Sequence, residues 1–151
     1  MIKQLLTYFM VFLFIAFNSH AADDKPIPEP AKPQNGVFFL ANGYQVTILE
    51  LKDGNFRYWF ASDVVPAKKP NYPFTGKYSL QGDRVILKHD QISTHYQQWI
   101  FRTLKGVVTL WTPEAIDYYN RERDFNPYGI LRITEKPAEQ VWADPNPFFK
   151  Q

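Results

Sequence analysis

The feature of this sequence that most constrains its fold is a pair of tight-turn dipeptides inside alternating segments. Asp53-Gly54 lies in the middle of the alternating stretch 49–58, and Gly82-Asp83 lies in the middle of 78–87. Both dipeptides favour the positive φ angles that two-residue hairpin loops require. Two such hairpins close together predict an antiparallel sheet built from consecutive strands.

Further β-rich segments, separated by turn signals, extend this sheet to about eight strands. One helix is expected from Pro113 to about Arg123, because Thr112 can cap it and proline suits its first turn. We therefore predict a mainly antiparallel, all-β domain: an up-and-down meander or a small lipocalin-like barrel, with one helix before the last strand. An open sheet or a sandwich fits the same pattern. The predicted strands are 37–41, 44–52, 55–62, 76–81, 84–89, 95–104, 107–111 and 129–134.

Registering the hairpins on their turns predicts which side chains share a face of the sheet. Leu51 then opposes Phe56, and Glu50 opposes Arg57 as an exposed ion pair. The apolar face is the predicted core: Leu49, Leu51, Phe56, Tyr58, Phe60, Tyr78, Leu80, Val85, Leu87, Phe101 and Leu110. The other face is polar but carries a second apolar stripe: Ile48, Trp59, Ile86, Ile100 and Trp111. Either the helix and the C-terminal tail cover this stripe, or it is an exposed binding patch.

The N-terminal residues 1–21 have the pattern of an export signal. Lys3 precedes the apolar run 5–17, and Ser19-His20-Ala21 supplies small residues at the −3 and −1 positions, so cleavage after Ala21 is expected. No later segment is long and apolar enough to span a membrane. The chain has no cysteine, which excludes disulfides, thiolate metal sites and thiol nucleophiles. These features indicate a bacterial periplasmic protein, or a secreted one.

Proline-rich segments flank the predicted domain on both sides. Residues 22–35 are expected to form an extended linker, and the β domain occupies 36–134. Residues 135–151 mix proline with aromatic residues. This tail is expected to be disordered or, alternatively, to dock on the domain through its aromatic side chains.

Charge and residue chemistry exclude several classes of function. The 17 basic residues nearly balance the 15 acidic ones, so nothing favours nucleic acid as a partner. His89 and His95 lack a third ligand at the spacing of a metal site. The sequence contains neither a Gly-x-Ser-x-Gly elbow nor a glycine-rich phosphate loop. We predict no catalytic residue, no metal and no cofactor; a hydrolase with an unrecognised site, built around the two histidines, is the remaining enzymatic alternative.

Aromatic side chains, 17% of the chain, are the main functional lead. In a small barrel they can surround one small apolar or amphipathic ligand, or they can simply fill the core. The first interpretation assigns ligand contacts to four aromatic residues, with Arg102 or Gln98 near the rim. These candidate ligand-binding residues are Tyr58, Tyr78, Trp99, Phe101 and Arg102.

A partner protein, such as an envelope factor, is the alternative to a small ligand. The segment 63–75 is long for a hairpin connection, and long loops in compact domains often carry function. This loop, or alternatively the second apolar stripe, would form the contact surface of an interaction or inhibitor module. The candidate partner-binding residues are Lys68, Lys69, Tyr72, Trp59 and Trp111.

The hairpin motifs also carry a resemblance to known proteins. Leu49-x-Leu51-x-Asp53-Gly54-x-Phe56, Gly76-x-Tyr78 and Gly82-Asp83-x-Val85-x-Leu87 resemble small exported bacterial proteins of unassigned function that are expected to adopt lipocalin-like meanders or barrels. The resemblance implies a fold and assigns no site residue. The sequence thus predicts an exported, non-enzymatic binding domain.

Overall fold

A computed structural model describes residues 25–42, 44–62 and 73–143, and it confirms the predicted antiparallel barrel. Eight strands pair in chain order from β2 to β9, and β9 pairs with β2 to close the wall. A two-residue strand, β1, is added at the start. The strands are β1 Glu29–Pro30, β2 Gly36–Ala41, β3 Gln45–Lys52, β4 Asn55–Ser62, β5 Phe74–Gln81, β6 Arg84–Leu87, β7 Gln98–Leu104, β8 Val107–Trp111 and β9 Ile130–Ile133.

The hairpin registers are those that the turn dipeptides predict. Leu51 pairs with Phe56 across β3 and β4, and Glu50 pairs with Arg57. Asp53 and Gly54 both have positive φ, at 50° and 78°, as a two-residue hairpin loop requires. Because alternate connections of an up-and-down barrel lie at the same end, the three tight turns after β3, β5 and β7 share one end. We call it the turn end, and the opposite end the loop end.

The barrel interior is a continuous apolar core. Most of the face predicted from the alternation lies inside, where strands of opposite sides pack against each other. Leu80 differs: it is 50% exposed, because it lies close to the turn end where the wall stops. The buried interior residues are Phe38, Leu49, Leu51, Phe56, Tyr58, Val85, Leu87, Ile92, Trp99, Phe101, Leu110 and Leu131.

Two helices lie outside the barrel. The predicted one, α1, spans Pro113–Glu122 and is capped by Thr112, whose Oγ1 accepts the Ala115 N–H at 3.2 Å. The other, α2, spans Ala138–Ala143 inside the segment for which disorder was one of two expectations. A short 3-10 helix, Thr94–Tyr96, replaces the start of the predicted strand 95–104.

These helices cover Ile48, Trp59 and Trp111 of the second apolar stripe, and cover was one of the two expectations for it; Ile86 is half-buried and lies outside both patches. Trp111 under α1 is 0% exposed, and Trp59 under α2 is 8% exposed. The patch at α1 comprises Leu104, Trp111, Ala115 and Tyr119, with Ile116, Phe125 and Ile130 at its edge. The patch at α2 comprises Val37, Val46, Ile48, Trp59, Ala61 and Val141, with Phe39, Ala138 and Trp142 at its edge.

The described part of the N-terminal segment, residues 25–35, packs against the barrel and is not an extended linker separate from it. Pro30 pairs with Arg102 of β7, and the Ala31 N–H donates to the Phe101 carbonyl at 3.3 Å. Asn35 then donates to the Asp53 carboxylate at 2.7 Å beside the first tight turn. The segment therefore crosses the turn end of the barrel.

Several expectations concern residues outside the described ranges. They are the export signal 1–21, the loop residues Lys68, Lys69 and Tyr72, and the tail beyond Ala143. Within the ranges that the structure describes, no helix is long and apolar enough to cross a membrane.

Candidate functional site: an outer groove on the barrel wall

The interior residues expected to hold a ligand are packed against one another. Tyr58, Trp99 and Phe101 are almost fully buried in the core. The Tyr96 ring stacks near Trp99, with centroids 6.0 Å apart, and near Tyr58 at 6.5 Å. Trp99 donates its Nε1–H to the Tyr96 carbonyl at 2.8 Å. These aromatic rings fill the barrel interior at its middle, as the core-filling interpretation expects.

The Tyr58 hydroxyl is an unusual feature of this packing. Among the described residues it is a buried polar atom without a hydrogen-bond partner. Burial, with a smaller contribution from Tyr96, raises the pKa of Tyr58 well above its ordinary value. The hydroxyl is therefore neutral and carries an uncompensated desolvation cost.

Tyr78 and Arg102 lie away from the centre of the barrel. Tyr78 is half-buried near the turn end, where its hydroxyl reaches the Asn35 Oδ1 at 3.4 Å. Arg102 follows the inward-facing Phe101, so the strand alternation turns its side chain to the outer wall. There Arg102 forms an ion pair with Asp83 and donates to the Phe101 carbonyl at 2.8 Å. The placement of Arg102 near an interior rim is thus corrected.

Trp59 and Trp111 do not offer an exposed partner surface, because α2 and α1 cover them. At α2 the cover is held by a polar contact as well as by packing. The Trp142 Nε1–H donates to the Glu50 carboxylate at 2.8 Å, and Arg57 donates to the same carboxylate at 2.8 Å. The Arg57 guanidinium also lies 4.8 Å from the Trp142 ring centroid. The predicted Glu50–Arg57 pair is therefore real but partly buried.

The two histidines are placed in different surroundings. His95 Nδ1 lies 2.9 Å from the Glu114 carboxylate, and both side chains are largely exposed. His89 lies beside the Phe74 ring, at 5.1 Å between centroids, and its Nδ1 accepts the Gln91 N–H. In the described part of the chain, no group of three or more potential ligands could hold a metal ion.

An open groove of about 1050 Å³ lies on the outer wall of the barrel. Its floor consists of outward-facing residues of β2, β9 and β8, between the patches that α1 and α2 cover. Its walls come from the segment after α1, the segment before α2 and the N-terminal segment. We call it the outer groove; its lining includes Pro26, Phe39, Ala41, Lys105, Val107, Phe125, Pro127, Ile130, Arg132, Glu135 and Lys136.

The floor of the outer groove is apolar, with one cation in its middle. Arg132 pairs with Phe39 on one side and with Thr109 on the other. Thr109 is fully buried, and its hydroxyl already donates to the Arg102 carbonyl and accepts the Trp111 Nε1–H. The Arg132 side chain is therefore directed over apolar neighbours toward solvent. Val107, 43% exposed, extends the apolar floor toward the turn end.

Cations outnumber carboxylates around the outer groove. Arg132, Lys105 and Lys136 line it, against one acid, Glu135. Within the described ranges, none of these four groups forms an ion pair with another side chain. The other carboxylate nearby, Asp124, forms an ion pair with Lys25, with 3.3 Å between Oδ1 and Nζ. The groove thus combines an apolar surface with uncompensated positive charge.

The sequence did not reveal the outer groove because its floor is assembled only when the barrel closes. Phe39 and Arg132 come from the first and last strands of the closed wall, and no short-range pattern links them. One signal was present: Ile130 and Arg132 alternate with the inward Leu131, so both belong to the outer face. Without the β2–β9 pairing, their neighbours were unknown.

Comparison with known proteins gives no match: no family model fits this sequence, and no curated protein or solved structure is significantly similar to it. A closed β-barrel with a groove on its wall is an architecture consistent with a binding domain. The ligand has to be argued from the groove itself.

Proposed function

We propose that this protein is a non-enzymatic binding domain that holds a small amphipathic molecule in the outer groove. The observation that carries the proposal is the apolar floor, formed by Phe39, Ile130 and Val107 in an open groove of about 1050 Å³. Binding sites for small molecules are typically concave, mostly apolar and of roughly 300–1,000 Å³. A single alkyl chain with a polar head fits a long open groove whose rim is polar.

The interior is a less suitable site for such a ligand. Trp99 and Phe101 are fully buried among other core side chains, and Phe38 packs edge-on against Phe101 at 5.7 Å. A ligand would have to displace these rings, which costs packing energy that a surface groove does not require. The outer groove is open to solvent and needs no rearrangement of the core.

The test is calorimetric titration of the purified protein with two amphiphiles that share one tail, dodecanoate and dodecyl maltoside, each below its micelle concentration. We expect saturable binding at one site per chain. Val107→Asp puts a charge on the groove floor and is expected to abolish it, because the dodecyl tail would lie on an ionised carboxylate.

Leu80→Asp is the matched control. Leu80 is an exposed aliphatic residue like Val107, at 50% against 43%, but it lies at the far side of the barrel wall. This variant is expected to bind both amphiphiles as the unaltered protein does. Equal loss of binding in both variants, or no binding by the unaltered protein, would refute the outer groove as the site.

A further inference from the structure

We infer that the outer groove selects a single-chain amphiphile whose head group is an anion, with a free carboxylate as its simplest form. This inference rests on the proposed function and adds the charge of the ligand to it. The structural basis is the excess of cations over acids around an apolar floor. The proposed occupant is an isolated molecule of the fatty-acid type.

Arg132 occupies the position at which a head group would meet the floor. It extends between Phe39 and Thr109, and its β-strand neighbour on the same face is the apolar Ile130. No carboxylate within the described ranges pairs with it. A guanidinium presents parallel N–H donors that match a carboxylate, so an anion bound there would form charge-assisted hydrogen bonds.

Lys105 and Lys136 add positive charge at two further points of the rim. Lys105 is held in the tight turn between β7 and β8, where its φ of 51° and that of Gly106 fix the loop. Lys136 follows β9, and its backbone N–H donates to the Thr134 hydroxyl at 3.1 Å. Both side chains are exposed, so each contributes mainly through long-range attraction that salt screens.

The polar contacts that dock α2 and the floor of the outer groove use different strands of the barrel. The described part ends at Ala143, after Trp142 has docked on Glu50 and Arg57 of β3 and β4. The outer groove lies on β2, β9 and β8, on the other side of α2.

The experiment compares three amphiphiles with the same dodecyl tail and different heads: anionic dodecanoate, neutral dodecyl maltoside and cationic dodecyltrimethylammonium. We expect dodecanoate to bind about ten-fold more tightly than the maltoside, because the three exposed cations outweigh the single acid, Glu135, at the groove. The cationic amphiphile is expected to bind most weakly. Added salt should reduce the affinity for dodecanoate and leave that for the maltoside unchanged.

Variants that remove charges test whether the residues around the groove set the preference for an anionic head group. The triple variant Arg132→Gln, Lys105→Gln and Lys136→Gln is expected to lose the roughly ten-fold preference for dodecanoate and to keep its affinity for the maltoside. Glu135→Gln removes the opposing charge and is expected to strengthen dodecanoate binding by about two-fold. The control triple variant removes three exposed cations elsewhere on the barrel: Lys52→Gln, Lys77→Gln and Lys88→Gln.

The failures of the two proposals are distinguishable. Equal affinity for the three heads would overturn the anion inference and leave the amphiphile-binding function standing. No binding of any amphiphile would overturn both. Dimers that bind none of them would assign the groove to a second copy of the chain. Binding only to vesicles that contain phosphatidylglycerol, and not to free dodecanoate, would overturn the choice of an isolated molecule.

Discussion

The buried Tyr58 hydroxyl gives the sharpest test of how this barrel interior is built. In the described part of the chain the hydroxyl has no hydrogen-bond partner, although the side chain is only 3% exposed. Tyr58→Phe removes that oxygen and leaves the ring in place, stacked near Phe74 and Tyr96. The usual expectation for a core substitution is a loss of stability. Here we expect a gain.

The size of the gain follows from the cost of an unsatisfied buried polar group, about 1–3 kcal/mol. Part of that benefit is offset, because removing the oxygen leaves a small void in a closely packed core. We therefore expect the free energy of unfolding to rise by about 1 kcal/mol. For a domain of this size, that corresponds to an increase in Tm of about 4 °C.

Urea denaturation followed by circular dichroism measures this change, with Tyr119→Phe as the matched control. Tyr119 is equally buried at 3% exposure, but its hydroxyl lies 3.5 Å from the Pro26 carbonyl and donates to it. The control variant is expected to lose about 0.5 kcal/mol. Destabilisation by Tyr58→Phe would refute the reasoning: the hydroxyl would then have a partner in solution, and an interior ligand would become the leading explanation.

Three further substitutions test other parts of the structure. Val141→Ala removes buried methyl groups and should lower the free energy of unfolding in urea by about 1.5 kcal/mol; no change would mean that α2 does not pack on the barrel. Lys105→Asn should raise Tm slightly, because Asn tolerates the φ of 51° better than Lys. The same variant should bind dodecanoate more weakly in calorimetry, because it lacks the lysine charge. A lower Tm would contradict the turn assignment. The pKa of Glu114 is lowered: burial raises it, but hydrogen bonds, chiefly from His95, outweigh that effect. The stability from this lowered pKa exists above the ordinary carboxyl pKa and is lost as the pH falls, so Glu114→Gln should flatten the acid side of a plot of Tm against pH. Superimposable plots would contradict the pairing.

Local signals predicted the walls of the barrel accurately. The Asp53-Gly54 turn fixed the register of β3 and β4, including the Glu50–Arg57 pair, because a two-residue loop allows only one register between the two strands. The Thr112-Pro113 sequence located the start of α1 for the same reason: a cap and a proline act within one turn. Such features depend on neighbours in the sequence alone.

What the sequence did not predict depends on contacts between distant segments. Pro30 becomes a strand residue only because β7 extends past β6 and offers it an edge. Docking of the tail was one of two expectations, but its target, the Glu50 carboxylate bound by Trp142, lies far away in the chain. Leu80 alternates like a core residue but lies where the wall ends. The outer groove has the same origin, since Phe39 and Arg132 meet only through the β2–β9 pairing.

The pairing of β2 with β9 also has a consequence for the order in which the chain can fold. Phe38 pairs with Ile133, so the first and last strands of the wall must find each other across nearly the whole domain. Because β9 is the last strand of the wall, β2 to β8 can form before any partner for the free edge of β2 is in place. Closure is therefore a late, high-contact-order event, and until it occurs an open apolar sheet is vulnerable to aggregation. A chaperone that shields this half-made surface would have to act before Ile133 pairs with Phe38.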